Sequence, residues 1–221
     1  MLLRIRLLLC VSLFVVPALS TRAADAPSPT PNAVQVQRAE KITAALKLAD
    51  PAKAAHVRDL IARQYADLSV IHSARDVAIK AAKEKGAMDK TAGMQATKAA
   101  RDTATAAQDK RHPEYLARLA TELTPAQIDQ VKDGMTYGVA PLTFRVYQEM
   151  LPNLTEEQKG QILAWLTEAR EHAMDASTSE EKHAWFGKYK GRINNYLSKA
   201  GIDMKQAEKA MSARQKSTKT K

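Results

Sequence analysis

Apolar residues recur every three to four positions along most of the chain, which is the spacing of one face of an α-helix. The segment over 57–71 carries this pattern clearly, and its apolar members are Val57, Leu60, Ile61, Tyr65, Leu68 and Ile71. Asp50-Pro51 precedes it, and an aspartate N-cap followed by proline at the first helical position favours a helix start there. No alternation of apolar and polar residues is long enough to predict a strand. The pattern therefore predicts an all-α fold.

Glycine, proline and capping residues divide this pattern into separate helices. Gly86 predicts the end of one long helix, and His112-Pro113 predicts a restart of the chain. Thr124-Pro125, and Thr155 with a glutamine three residues later, predict two further helix starts. We expect an irregular multi-helix bundle that opens with a long N-terminal helical hairpin. The whole bundle should form a single helical domain over residues 33–211.

The segment over 80–111 departs from the pattern, because alanine, lysine, threonine and glutamine dominate it. Met88 and Met94 are its only large apolar side chains. Such a composition favours a helix but offers little apolar area to bury. We therefore predict an Ala/Lys-rich arm that projects from the domain and is largely solvated. A surface for a protein partner is the alternative interpretation of the same segment.

Aromatic residues are concentrated in the second half of the chain. Tyr65 is the only one between residues 25 and 112, whereas residues 115–196 hold both tryptophans, two phenylalanines and five tyrosines. Aromatic side chains bury large apolar areas. This distribution predicts an aromatic-rich C-terminal core, with the helix over 57–71 laid against it.

The N-terminus combines a basic start, a short apolar run and a small-residue exit, which are the three parts of a secretory signal peptide. We assign the signal peptide to residues 1–24 and a proline-rich linker to residues 25–32. Removing the signal peptide would take away three arginines, no acid and the single cysteine, so the charge would fall from +10 to +7. The mature chain would then contain no disulfide.

The charge pattern of the mature chain limits the classes of partner that the protein could bind. Residues 212–221 contain four cations and no acid, which predicts a basic, disordered tail. Basic residues elsewhere form no concentrated footprint for nucleic acid. No segment after the signal peptide is apolar enough to predict a transmembrane helix. We expect an exported protein of the periplasm or the exterior that binds no nucleic acid.

The stretch over 177–201, STSEEKHAWFGKYKGRINNYLSKAG, mixes aromatic, cationic and amide side chains densely. Serine and threonine, each three residues before a glutamate, predict that a helix begins near Ser179. Aromatic rings beside polar groups suit a shallow site for a sugar or an anion. The ligand-binding candidates here are Trp185, Lys188, Tyr189, Lys190, Arg192, Asn194 and Asn195. The alternative is that the aromatic stripe faces the core, with Gly187 and Gly191 allowing another helix to approach closely.

The turn VKDGMTYG over 131–138 adds two candidates, Asp133 and Tyr137, because loops often carry functional groups. An enzyme acting on a carbohydrate would require these residues to meet His172 or His183 in one pocket. Catalytic residues are not identifiable from the sequence, which contains no common catalytic or phosphate-binding motif.

Acidic and histidine side chains also occur at helical spacing in the second half of the chain. Glu180 and His183 form one Glu-x-x-His unit, whereas helical di-iron sites need two such units and two further glutamates. We therefore predict neither a metal site nor a cofactor, and interpret these residues as a solvated helix face.

Three stretches carry a resemblance to a known family: VKDGMTYG, MLPNLTEEQKGQILAWLTEAREHAMD and the 177–201 stretch. Together with the helices over 38–48 and 57–65, they resemble a bacterial family of secreted proteins known as a domain of unknown function. The resemblance implies a helical exported protein, of a kind often met in bacteria rich in polysaccharide-degrading systems. It implies no activity and no site residues.

A second likeness rests on two L-T-x-x-Q motifs, at 123–127 and 154–158. They are similar to motifs of the small periplasmic chaperones Spy and CpxP, which are helical, independent of ATP and bind unfolded clients. The same pattern is also that of an ordinary helix capping box.

These observations lead to three hypotheses for function. The first is an exported, non-enzymatic binding or accessory protein with a glycan or protein partner, linked to polysaccharide processing. The second is an ATP-independent chaperone-like client binder, and the third is a carbohydrate-active enzyme. Neither the ligand nor the oligomeric state follows from the sequence.

Overall fold

The computed structural model describes residues 29–219, with side chains as far as residue 216. This part of the chain contains eight α-helices and no strand, which confirms the predicted all-α fold. The helices are α1 Ala33–Ala45, α2 Pro51–Gly86, α3 Lys90–Ala120, α4 Pro125–Met135, α5 Val139–Met150, α6 Glu156–Met174, α7 Ser179–Lys199 and α8 Met204–Lys219. The predicted signal peptide, residues 25–28 of the predicted linker and residues 220–221 lie outside the described residues.

Side-chain caps fix where several helices begin. Thr124 and Gln127 form a capping box at the start of α4, and Thr155 and Gln158 form another at the start of α6. In each box the threonine oxygen accepts from the glutamine backbone N–H, and the glutamine side chain accepts from the threonine N–H. Both L-T-x-x-Q motifs therefore have a local role in ending a loop and beginning a helix.

The long N-terminal hairpin consists of α2 and α3, which we call the α2–α3 hairpin. With 36 residues, α2 is about 54 Å long at the usual rise per residue. The two helices approach each other closely near the tip, where a Cβ atom on Gly93 would lie 2.4 Å from Gly86 Cα. A side chain at position 93 would therefore force the backbone of one helix to shift. The tip itself is open to solvent, with Met88 95% exposed.

One predicted helix boundary is wrong. The expected restart at His112-Pro113 is absent, because α3 runs without a break from Lys90 to Ala120 with Pro113 inside it. Proline has no N–H to donate to the carbonyl four residues earlier, which is why it usually ends a helix. Tyr115 and Leu119, two and six residues later, are buried in the hydrophobic core, and this packing continues the helix beyond the proline.

In the described part of the chain, the buried apolar side chains form two clusters rather than one main core. The N-terminal cluster joins α1 to α4 and includes Val57, Ile61 and Tyr115, so the helix over 57–71 packs there. The C-terminal cluster joins α5 to α8 around buried residues such as Phe186 and Ile193. Helix α6 belongs to both: most of its buried face lies in the C-terminal cluster, whereas Met174 at its end lies in the N-terminal cluster.

The C-terminal helix is longer than the sequence predicted. Residues 212–219 were expected to be a disordered tail, but they continue α8 to Lys219. Arg214 Nη2 donates to the carbonyl of Glu149, 3.0 Å away, and to that of Met150. Both carbonyls are at the C-terminal end of α5, where a cation is favoured, so this contact ties α8 to α5. Among residues 29–219, no helix is long and apolar enough to cross a membrane.

Candidate ligand cleft

The C-terminal end of α6 is surrounded by polar side chains from three other helices. His72 Nε2 and Gln108 Nε2 donate to the carbonyl of Asp175, at 2.9 and 2.8 Å. Lys182 Nζ donates to the carbonyls of Ala173 and Met174, at 2.9 and 3.0 Å. The last carbonyls of a helix have no partner within it, so donors from α2, α3 and α7 satisfy the end of α6.

His112 lies between two carboxylates beside this helix end. Its Nδ1 donates to Asp175 Oδ2 at 2.6 Å, and its Nε2 donates to Glu171 Oε2 at 3.2 Å. These hydrogen bonds raise the pKa of His112 to about 9. Burial acts to raise the pKa of Glu171, but His112 and Lys132 outweigh it and lower that pKa to about 2. At neutral pH the pair is therefore an imidazolium and a carboxylate.

We call these residues the Asp175 network; they are His72, Gln108, His112, Lys132, Glu171, Asp175 and Lys182. Its centre is poorly suited to proton transfer, because both ring nitrogens of His112 are already bonded and Glu171 stays ionised. General acid–base catalysis needs a group with a pKa near the working pH and a free position toward a substrate. The network instead fixes the position of α6 against the α2–α3 hairpin.

A cleft of about 620 Å³ opens beside this network, between the α2–α3 hairpin and α7. Its volume is within the range of roughly 300–1,000 Å³ that is usual for small-molecule sites. Gln108 belongs to both regions, since it lines the cleft and binds the Asp175 carbonyl. The lining residues are Arg75, Asp76, Ile79, Arg101, Ala104, Thr105, Gln108, Glu181, Ala184, Trp185 and Lys188.

Trp185 provides the aromatic surface of the cleft. Its indole ring is half-buried and stacks on the imidazole of His172, with 4.4 Å between ring centroids and 16° between planes. Lys188 Nζ lies 4.9 Å from the Trp185 ring centroid, a distance at which a cation is attracted to the ring. The stacking holds the indole in place, and Trp185 and Lys188 both line the cleft.

The charges of the cleft fall into two groups. Arg75 of α2 bonds to Asp76 at 2.8 Å and reaches across to Glu181 of α7 at 3.2 Å. Both acids of the cleft are thus neutralised by one arginine. Arg101 of α3 and Lys188 of α7 line the same cleft, and neither forms an ion pair with any side chain among residues 29–216. The cleft therefore retains two positive charges that no carboxylate of the described chain compensates.

The residues of α7 proposed from the sequence do not share one surface. Trp185 and Lys188 line the cleft, whereas Tyr189 is buried in the C-terminal cluster. Asn194 accepts a hydrogen bond of 2.6 Å from Tyr147, and the Arg192 guanidinium lies 4.6 Å from the centroid of Trp165. Lys190 and Asn195 are exposed, away from the residues that line the cleft. A Cβ atom on Gly187 or Gly191 would meet nothing within 4 Å, so these glycines do not serve a close helix approach.

The residues required by the enzyme hypothesis have separate partners. Asp133 forms an ion pair of 2.8 Å with Arg170. Tyr137 has a left-handed backbone, φ 59°, and stacks on His183 at 5.9 Å between centroids. His172 stacks on Trp185 instead. Among the described residues, no group of three or more His, Cys, Asp or Glu is placed to hold a metal ion.

Sequence reasoning missed the hairpin wall of the cleft. Arg101, Ala104, Thr105 and Gln108 occupy one face of α3, since their spacing is three to four residues. That spacing is visible in the sequence. It was not informative alone, because nothing in the sequence indicates that this face of an alanine-rich helix lies opposite Trp185.

The comparison with protein families identifies the chain. Residues 32–217 match the family model DUF3826, described as a protein of unknown function. The chain belongs to the DUF3826 family. A comparison with curated proteins found no match.

Proposed function

We propose that this DUF3826 protein is an exported, non-enzymatic binding protein that takes a glycan in the cleft between the α2–α3 hairpin and α7. The observation that carries the proposal is Trp185, an aromatic platform within a cleft whose other lining residues are mostly polar or charged. Sugars present apolar C–H faces and polar edges, so they suit one aromatic surface surrounded by hydrogen-bonding groups. Export rests on the predicted signal peptide.

The fixed hydrogen bonds of the neighbouring Asp175 network support binding in the cleft rather than catalysis. His112 and Glu171 both have strongly shifted pKa values, and each is bonded to fixed partners. A ligand in the cleft would meet Gln108 and Thr105, which can donate or accept hydrogen bonds, before it met these ionised groups. Processing of polysaccharides would then be assisted by retention of the glycan rather than by its cleavage.

The two tryptophans of the chain allow a direct test by fluorescence. In a Trp165→Phe variant, Trp185 is the only indole, and in a Trp185→Phe variant, Trp165 is the only one. Titration with a glycan panel should shift the emission of Trp165→Phe and leave that of Trp185→Phe unchanged. Trp185→Ala should weaken binding by about 30-fold, as expected for a central aromatic contact.

Trp165 is a matched control, because it is also half-buried and also lies beneath a cation, Arg192. Circular dichroism should show unchanged helicity in each variant. If no glycan shifts the emission of Trp165→Phe, or if both single-tryptophan variants respond equally, the proposed cleft is not a glycan site.

A chaperone-like function is the second candidate, and one observation favours it. The α2–α3 hairpin exposes apolar side chains to solvent, with Val77 71% and Met94 65% exposed. Exposed apolar surface of this kind can contact unfolded chains. Suppression of the aggregation of a denatured client, lost in Val77→Ser with Met94→Ser, would support this function over glycan binding.

A further inference from the structure

We propose that the ligand of the cleft is an acidic oligosaccharide, whose negatively charged groups bind Arg101 and Lys188 from opposite walls. This inference rests on the proposed glycan-binding function and specifies its ligand class. It begins from the charges of the cleft, where Arg75 satisfies both Asp76 and Glu181. Arg101 and Lys188 remain without a carboxylate among residues 29–216.

The position of the two cations selects a ligand that is both cyclic and charged. Lys188 lies against the ring of Trp185, so an acidic group bound there is held next to an aromatic surface. A simple inorganic anion would bind the cations and make no use of the indole surface that lines the cleft. A neutral sugar would use the indole and leave the cations unpaired. A sugar ring that carries a carboxylate or sulfate uses both features.

The surface continues beyond the cleft along the hairpin. Arg101 also lines a second, largely apolar groove of about 550 Å³ that runs toward the hairpin tip. Lys83 and Lys90 line this groove, and neither is ion-paired among residues 29–216. Lys98 lines it as well but is paired with Asp102. Cations thus extend from Lys188 through Arg101 to the tip, which fits a chain of several acidic units better than a single one.

Glu181 does not neutralise the positive charge of the cleft, because its carboxylate already has other partners. Its carboxylate accepts from the backbone N–H of Ser177 at 2.9 Å and pairs with Arg75. Because Glu181 is held at the start of α7 by these contacts, it is not available to neutralise Lys188 two turns later. The cleft therefore keeps its positive charge in the unliganded protein.

The test uses a hexamer of galacturonate and its fully methyl-esterified form, which share the sugar ring and differ in charge. Binding is measured by calorimetry at two salt concentrations. We expect the acidic hexamer to bind at least about tenfold more tightly than the ester, and more weakly as salt rises. A sulfated galactan hexamer distinguishes sulfate from carboxylate as the preferred charged group.

Variants of two cations sharpen this test. Arg101 and Lys188 are exposed and have no ion pair among residues 29–216, so we expect their substitution to leave the fold intact. Arg101→Gln and Lys188→Gln should each weaken binding of the acidic hexamer by about tenfold and leave binding of the ester unchanged. Lys190→Gln is the matched control, an exposed lysine on the same helix that does not line the cleft. It should bind the acidic hexamer as the parent protein does.

The outcomes separate this inference from the function on which it rests. Equal binding of the acidic hexamer and its ester, with no effect of Arg101→Gln, would overturn the acidic ligand and keep the glycan site. Failure of every acidic, esterified and neutral glycan to bind would overturn both. Equal competition by single-stranded DNA of similar length would replace a sugar-specific site with a general polyanion surface.

Discussion

The Asp175 network and the cleft are adjacent polar regions that share Gln108, yet their charges are arranged in opposite ways. In the network, His112 has a carboxylate on each ring nitrogen, and Lys182 caps two carbonyls. In the cleft, one arginine satisfies both acids, and two further cations face open space. A polar group with a partner inside the protein stabilises the fold, whereas a group without one is available to a ligand.

This difference separates the residues that hold the structure from those that would bind. Removing one member of a buried ion pair leaves the other charged and desolvated, which is costly. Removing an exposed cation costs little stability, because water solvates the groups that remain. Stability and affinity should therefore respond to different substitutions, even though the two regions are in contact.

Asp175→Ala should produce the largest loss of stability. Asp175 is 7% exposed, and its loss would leave His112 Nδ1 and Gln64 Nε2 without their hydrogen-bond partner, with Glu171 as the one carboxylate still bonded to His112. We expect the free energy of unfolding to fall by about 3 kcal/mol, measured by urea denaturation. Arg101→Gln in the cleft should change it by less than about 0.5 kcal/mol. Equal losses in the two variants would remove the distinction between network and cleft.

The pH dependence of stability gives the next largest effect. The folded pKa of His112 is raised to about 9, above the ordinary value of 6.5, so its contribution is complete below pH 6.5 and is lost as pH rises toward 9. Burial lowers the pKa of His72, so this histidine affects stability only below pH 6.5. Burial also lowers the pKa of Lys182 to about 8, so Lys182 makes stability rise with pH, but only from about pH 8 upward. Between pH 6.5 and 8, stability should fall by at most about 1.4 kcal/mol per pH unit.

Denaturation curves at intervals of half a pH unit would measure this slope. His112→Gln should lower stability at pH 6.5 and remove the slope between pH 6.5 and 8. Lys188→Gln should leave the slope as it is, because Lys188 has no carboxylate partner among residues 29–216. A slope that persists in His112→Gln would show that the network is not its source.

Two glycine substitutions give the smallest effects, with opposite signs. Gly93→Ala would place a Cβ atom 2.4 Å from Gly86 Cα, so it should destabilise the hairpin by about 1 kcal/mol. Gly187→Ala meets nothing within 4 Å on the exposed side of α7 and should stabilise that helix by roughly 0.5–1 kcal/mol. Hydrogen exchange should quicken over residues 82–97 in Gly93→Ala while the amides around Asp175 remain protected. Faster exchange at both places would mean that the hairpin wall and the network move together.

Local signals in the sequence predicted the helices well. Caps such as Thr124 and Thr155, and the end of α2 at Gly86, depend on a few neighbouring residues. Pro113 was misjudged because the packing of Tyr115 and Leu119 against distant helices outweighs the local preference of proline. A contact with a distant helix also accounts for residues 212–219, which are helical where α8 binds the end of α5 through Arg214.

The candidate site was only partly predictable, for a related reason. Trp185 and Lys188 were found from their chemistry, but Tyr189 on the same helix is part of the core. Neighbouring residues of a helix point in different directions, so some are exposed and others are buried. A stretch that is rich in aromatic and polar residues therefore does not show which of them share a surface. Arg75 and Arg101 lie on helices remote in sequence from α7, and only the fold places them opposite Trp185.

The double membership of α6 has a consequence for how the protein unfolds. Ala173 lies in the C-terminal cluster and its neighbour Met174 in the N-terminal one, and the carbonyls at this end receive donors from α2, α3 and α7. Neither half can open without exposing these carbonyls and an ionised His112. The two clusters are therefore thermodynamically coupled, and the chain should melt in one cooperative transition rather than as two independently folding modules.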